Sequence, residues 1–205
     1  MREADMLGLI ELADRGIHDP ETMPFAEPWT DSPLPQRHWE SMRFFFRRWS
    51  EWSPESWKLS FATYADGELV GTQDLIATHF VERRVVSSGS WIGQAYQGHG
   101  FGKEQRVAVL TLAFDGLGAR MAETEAFWDN GASNSVTRWL RYEANGEGVA
   151  MRRDVADRLL HYRLTRPRWE ERRRRGDLPE VELDGVEAAL PLFGLDQPTA
   201  AERHA

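Results

Sequence analysis

Between Glu3 and Arg15 the apolar residues Met6, Leu7, Leu9, Ile10 and Leu12 fall at helical spacing, which predicts an opening helix. Pro20, Pro24, Pro28, Pro33 and Pro35 then interrupt any regular pattern and predict a loop. Helical spacing resumes from Gln36 to Trp52, crowded with Trp39, Phe44, Phe45, Phe46, Trp49 and Trp52, and Ser53-Pro54 stops it. Two extended runs follow, Trp57 to Tyr64 and Leu69 to Ala77. Ala65-Asp66-Gly67-Glu68 joins them, and Asp-Gly between such runs predicts a tight hairpin. A third run, Val81 to Trp91, leads into a glycine-rich turn. Beyond it Val107, Leu110, Ala113, Phe114 and Leu117 predict a helix over Lys103 to Leu117.

The pattern continues with a strand over Ala119 to Trp128, a short helix from about Ser133 to Leu140, and a strand from Asp157 in the stretch Arg152 to Arg163. Val181 to Glu187 reads as a late hairpin. Leu190-Pro191-Leu192-Phe193-Gly194 reads as an apolar segment docked on the body or on another subunit. No internal repeat is evident. The order of elements predicts an α/β (α+β) fold with a mixed sheet.

The chemistry gathers at Trp91 to Lys103. Gly98, Gly100 and Gly102 lack the Cβ atoms that would stop the backbone from curling round a ligand. The helix behind them would aim unpaired N–H groups and its positive dipole end at the same place, which suits a phosphate. A dinucleotide-binding turn is one reading, with Glu123 and Glu125 near the distance expected of a ribose-binding carboxylate. Gln97 at the start of the motif, and Asp129-Asn130-Gly131-Ala132-Ser133 after the next strand, argue for another.

Gln97-Gly98-His99-Gly100-Phe101-Gly102 resembles the Gln/Arg-x-x-Gly-x-Gly/Ala motif of the GNAT superfamily of acyl-CoA-dependent N-acyltransferases. Trp91-Ile92 is similar to the end of that family's fourth strand, and Asn130-Gly131-Ala132-Ser133 followed by Val136, Leu140 and Tyr142 to its Asn-x-x-Ser helix. The wording is that of the branch acetylating ribosomal-protein N termini, except that Arg141 replaces a C-cap glycine in Trp139-Leu140-Arg141-Tyr142. The resemblance spans residues 1–165, is clearest over 57–165, and leaves 166–205 as a C-terminal extension packing on the domain or on a partner subunit.

The resemblance implies a bent central sheet flanked by helices, its central strands splayed to admit pantetheine. Acetyl-CoA or another acyl-CoA is the implied co-substrate, and a primary amine of a protein or small molecule the acceptor, attacking directly. Trp91, Ile92 and Gly93 would bond pantetheine. Gln97, Gly98, His99, Gly100, Phe101, Gly102 and Lys103 would hold the pyrophosphate, and Asn130 and Ser133 would bind the pantetheine arm near the sulfur. A tyrosine often stands one turn beyond that serine as the acid, but Thr137 occupies the position here, so Ser133 becomes the candidate proton donor. Glu125 and Asp74 are the candidate general bases. A succinyl donor is a variant, with Arg83, Arg84 or Arg141 to meet its carboxylate. Loss of the tyrosine keeps a non-catalytic CoA-binding sensor or interaction module open as the alternative. The aromatic second helix is expected either in the core or along the acceptor pocket.

Composition narrows the classes further. The chain has 205 residues, enough for one domain with a sizeable core, and no cysteine, which excludes disulfides, thiolate metal sites and a cysteine nucleophile. A net charge of -8 argues against general nucleic-acid binding. The basic run from Arg166 to Arg175 contains Glu170 and Glu171 and reads as a solvated helix end. The six histidines show no metal-ligand spacing, and no metal is expected. Without an apolar run of membrane length or a signal-like start, a cytoplasmic protein with no membrane partner is expected, and the apolar tail admits a homodimer.

Overall fold

The computed structural model describes residues 1–195. Helix α1 (Glu3–Asp14) is followed by an irregular stretch and by α2 (Gln36–Ser50). The sheet then begins with β1 (Ser56–Ala65) and β2 (Glu68–Thr78); a single helical turn, α3 (Phe80–Arg83), precedes β3 (Val85–Ile92). Helix α4 (Phe101–Thr111) leads to β4 (Met121–Phe127), α5 (Gly131–Trp139), β5 (Glu143–Arg152) and β6 (Val155–Thr165). Helices α6 (Arg166–Arg174) and α7 (Val186–Ala189) end the chain of regular elements.

The β1–β2 hairpin forms as Asp-Gly requires, with Asp66 at φ 49 and Gly67 at φ 83. The six strands lie in the order β1-β2-β3-β4-β6-β5, antiparallel except between β3 and β4. This is the mixed, helix-flanked sheet expected from the sequence. Alternation along β2 divides the molecule: Gln73 reaches Arg106 of α4, whereas Asp74 reaches Arg48 of α2. The helices α1 and α2 therefore cover one face and α4 the other.

Each face has its own core. Met6, Leu9, Leu12 and Phe45 join α1 to α2. Trp57, Phe80, Val86, Leu110, Phe114, Leu164 and Trp169 form the larger cluster, in which Trp169 of α6 stacks on Phe114 at 5.6 Å. The segment after α7 joins that cluster: Phe193 is buried, with its ring 5.2 Å from Trp52 and 5.0 Å from Trp57. Residues 196–205 of the extension lie outside the described residues.

Several local expectations need correction. The helix predicted to Leu117 is α-helical only to Thr111 and continues as a π turn over Leu112–Gly116, where the Leu117 amide bonds Leu112 oxygen at 2.8 Å. The run from Val81 begins as α3, because His79 and Arg84 both take left-handed φ, 50 and 52, and bracket one turn. Strand β5 carries no strand signal in the sequence: its Glu143, Asn145 and Glu147 hide the alternation, and β6 rather than a hydrophobic face holds it. No late hairpin forms over Val181 to Glu187; Gly185 instead starts α7. The α2 aromatics Trp39, Phe44, Phe46 and Trp49 are exposed, in neither the core nor the cleft described below.

Truncating Phe193 to alanine is expected to cost about 3 kcal/mol, the range for a buried phenylalanine, whereas Val149→Ala on exposed β5 should stay within about 0.5 kcal/mol. Urea denaturation of the two variants measures both. Arg141, at φ 63 after α5, keeps the left-handed turn that glycine would make without strain. Arg141→Gly is therefore expected to stabilise the fold by about 1 kcal/mol in the same assay.

Candidate functional site

Strands β3 and β4 pair only through Val85, Val86 and Ser87 against Met121, Ala122 and Glu123. Both strands run on, to Ile92 and Phe127, and each stays paired on its outer flank, β3 with β2 and β4 with β6. Their inner edges therefore diverge and leave backbone donors and acceptors facing an opening. A cleft of about 1180 Å³ occupies this wedge.

At the wide end stands the glycine turn. Gly98 and Gly100 adopt φ 82 and 97, which only glycine takes without strain. Among the described residues no protein oxygen accepts the amides of Gly98, His99, Gly100, Phe101 and Gly102, while Lys103 and Glu104 already bond back to Gly100 oxygen. A Cβ built on Gly98 or Gly102 would meet nothing within 4 Å, so the cradle is open. These free amides sit at the N-terminus of an eleven-residue helix, whose dipole adds to their pull on an anion. Lys103, its Nζ 5.2 Å from the Trp139 ring, adds a cation at the rim.

The sequence-derived site residues divide on inspection. Trp91, Ile92, Gln97, Gly98, Gly100, Phe101, Gly102, Lys103, Asn130, Ser133 and Glu125 all line the cleft. Gly93 and His99 do not. A Cβ on Gly93 would lie 2.6 Å from Leu12, so that glycine admits α1 against the sheet, and His99 stacks on Phe101 at 5.9 Å. Gln97 turns its amide inward, donating to Ile17 oxygen at 2.6 Å and Ile92 oxygen at 2.8 Å, and so fastens the glycine turn to the end of α1 and to β3. Asp74 lies outside the cleft, bonded by Arg48 at 2.8 Å; burial pushes its carboxyl up against the pull of that arginine. Arg83, Arg84 and Arg141 are also outside, the first two held by Thr78 and by the Val81 and Leu117 carbonyls.

On the far bank, Asn130 caps α5 by accepting from the Ser133 amide at 3.1 Å. Ser133 is thus a first-turn residue rather than the cap, and its hydroxyl makes no hydrogen bond among the described residues. Thr137 cannot substitute for a proton donor in the cleft. It is buried, and its hydroxyl donates to Ser133 oxygen at 3.0 Å.

Sequence reasoning missed much of the remaining wall. His161 of β6 stands opposite Glu125 in the register, and its Nδ1 lies 3.4 Å from the carboxylate. Tyr162 donates to Asn134 at 3.0 Å. Arg152 enters from β5, held by Asp129 at 2.8 Å and by Asp157; the hydrogen bond to Asp129, against burial, keeps its pKa raised. His18, Asp19, Met23 and Phe25 of the proline-rich loop also line the cleft. Arg106 of α4 reaches the narrow end. Only the pairing of β6 with β4 brings His161 to Glu125, which no local motif announces.

A wedge between parallel strands, with free amides at the head of the following helix, agrees with a family model. The acetyltransferase (GNAT) domain model matches residues 1–143. The chain belongs to this family. Among solved structures, the GNAT fold seen here is similar to the ribosomal L7/L12 alpha-N-protein acetyltransferase RimL in complex with coenzyme A, with TM-score 0.63, 15% identity, and coverage of 80% of this chain and 90% of that one. It is equally similar to mutant forms of the spermidine/spermine N-acetyltransferase SpeG from Vibrio cholerae, with TM-score 0.63, 14% identity, and coverage of 84% and 95%. A GCN5-related N-acetyltransferase from Brucella melitensis gives TM-score 0.61, 18% identity, and coverage of 82% and 74%. These likenesses show the fold, and they single out no branch of the GNAT family.

Among the described residues no cluster of three His, Asp or Glu side chains is placed to hold a metal, and no helix is long and apolar enough to cross a membrane. Asn130→Ala is expected to lose about 1 kcal/mol of stability through its cap alone. Thermal denaturation without ligand measures this loss separately from any effect on binding.

Proposed function

We propose that the protein is an N-acyltransferase that moves an acyl group from an acyl-CoA to a primary amine by direct attack. The observation that carries this reading is the wedge between β3 and β4, with unaccepted amides from Gly98 to Gly102 at its mouth. The cradle suits a pyrophosphate, and the slot behind it suits a slender, amide-bearing arm that can bond the free edges of two strands. When bound, an acyl-CoA supplies an activated thioester carbonyl.

Everything else falls to residues of this chain. The amides of Gly98 to Gly102 bind phosphate oxygens, Lys103 adds charge, and the free edge of β3 near Trp91 and Ile92 orients the arm. The acceptor enters from the opposite side, where Asp19, Glu123 and Glu125 make an acidic wall that attracts a cationic amine. Glu125, with His161 beside it, accepts the amine proton through water. The amine nitrogen bonds the carbonyl carbon and the C–S bond breaks. The Ser133 hydroxyl, unbonded to protein, delivers a proton to the departing sulfur. Acetyl-CoA is the first donor to test, and ribosomal N termini and polyamines are both acceptors to screen, given the relatives named above.

Calorimetric titration with acetyl-CoA tests the reading directly. Gly100→Glu, which puts a side chain and a negative charge into the cradle, is expected to weaken binding at least roughly tenfold. Ser133→Ala and Glu125→Gln are each expected to lower kcat by about 10²-fold with CoA affinity unchanged. Binding of a nicotinamide dinucleotide in place of CoA would overturn the proposal. Tight CoA binding with no turnover of any amine would favour the sensor reading, whose support is the buried Thr137 where the family often has a tyrosine.

A further inference from the structure

Arg106 is 4% exposed, yet lines the narrow end of the cleft. A guanidinium stays charged at any ordinary pH, and a buried charge is costly without a counter-charge. The other well-buried arginines have one: Arg172 meets Asp177, Arg48 meets Asp74, and Arg37 meets Asp14. Arg106 has none among the described residues. Its Nε approaches Gln73 Oε1 at 3.4 Å, Nη1 approaches Thr124 Oγ1 at 3.2 Å, and Nη2 approaches Ser90 Oγ at 3.3 Å. All three contacts are long for N–H to oxygen bonds, and all three acceptors are neutral. One N–H on each terminal nitrogen is left over.

Two hydroxyls beside it are also unsatisfied. The buried Tyr142 Oη has Arg106 and Ser88 as its polar neighbours, in poor hydrogen-bond geometry with both, and Ser88 Oγ is buried with no better partner. The acidic residues of the cleft cannot serve as counter-charge: Glu123 and Glu125 flank Thr124 on β4 and so project from its other face. A buried guanidinium with only neutral partners thus lines the cleft beside Ser88, whose hydroxyl is poorly satisfied, and this is chemistry that binds a carboxylate.

The position decides where that carboxylate comes from. Arg106 stands five residues beyond Phe101, about 7.5 Å along the helix axis and away from the amides of the glycine turn. There Thr124 donates to Ser88 oxygen at 3.3 Å and the strands close. A chain that enters the cleft at the glycine turn and runs between the strands brings an anion at its far end to this apex. The acceptor amine, drawn to Glu123 and Glu125, approaches from the other face.

We propose that the acyl donor is a monothioester of a short dicarboxylic acid, and that Arg106 binds its free carboxylate. The proposal rests on the acyl-CoA reading above and adds the class of acyl group to it. The bonds made and broken are unchanged: nitrogen joins the thioester carbonyl, sulfur leaves with a proton, and the distal carboxylate passes intact into the product. A cationic amine becomes an amide bearing a negative end.

Calorimetric titration of the full chain with free CoA, butyryl-CoA and succinyl-CoA tests this, because the last two differ chiefly in the terminal charge. Succinyl-CoA is expected to bind at least roughly tenfold more tightly than butyryl-CoA, with the preference lost in Arg106→Gln and affinity for free CoA held within about twofold. Arg106→Lys, which keeps the charge but not the fork, should retain part of the preference and serves if the glutamine variant does not fold. Equal affinities in the unaltered protein, or a preference that survives in folded Arg106→Gln, would overturn the proposal and leave the acyl-CoA reading standing. No binding of any CoA compound would overturn both.

Discussion

The site depends on a sheet that stops being a sheet halfway along one pair of strands. Backbone N–H and C=O groups inside a protein need partners, so a gap between two central strands is stable only if it is held open and something polar can fill it. Here the outer flanks hold it. Strand β2 follows β3 to Ile92 and β6 follows β4 to Phe127, so neither strand can swing to meet the other without breaking a completed ladder. Gln97 ties the far end of the β3 bank to Ile17, and the cap of Asn130 fixes α5 on the β4 bank. At the apex Thr124, Ser88 and Arg106 bridge the first divergence. The wedge is thus held by completed ladders on both of its flanks.

Strand alternation gives the two sides of the wedge different chemistry. Thr124 points to α4 and meets a cation, whereas Glu123 and Glu125 point to the face covered by α1 and α2. Free amides and Lys103 gather at the glycine turn, Arg106 stands at the apex, and the Glu123 and Glu125 carboxylates line the other side. A net charge of -8 does not oppose the binding of an anionic donor, because the relevant potential is local to the helix N-terminus and the cleft.

Legibility in the sequence followed the range of the interactions. The glycine turn and the Asp66-Gly67 hairpin are short-range devices whose residue types state their backbone geometry, and both are readable; the cap of α5 is not, since Asn130 and Ser133 can each cap a helix and only the structure gives the role to Asn130. Nor is the course of β5 readable, because its polar alternation is fixed by pairing with β6 across a bulge between Ala144 and Glu147. His161 and Arg106 were missed for the same reason. A lone histidine on a strand and an arginine between Gln105 and Val107 carry no local signal; only the register of β6 on β4 and the packing of α4 below the apex give them neighbours. Asp74 shows the converse, since an acid interrupting a strand pattern is equally the mark of a buried ion pair, and here Arg48 supplies the partner.

The same geometry bears on how the chemistry is shared between protein and substrates. A covalent route needs a nucleophile with a base in hydrogen-bond reach. There is no cysteine, and among the described residues the Ser133 hydroxyl, which faces the site without a protein bond, has no histidine partner; His161 spends its contact on Glu125 of the neighbouring strand. Direct attack needs something else, two approaches to one point, and the parting of β3 from β4 interrupts the sheet that would otherwise keep its two faces apart. On the proposed reading the protein's main contribution is therefore positional and electrostatic, with proton movement assigned to groups that already stand free of structural duty. That freedom separates Ser133 and Glu125 from Thr137 and Asp74, which have the right functional groups but are committed to the fold.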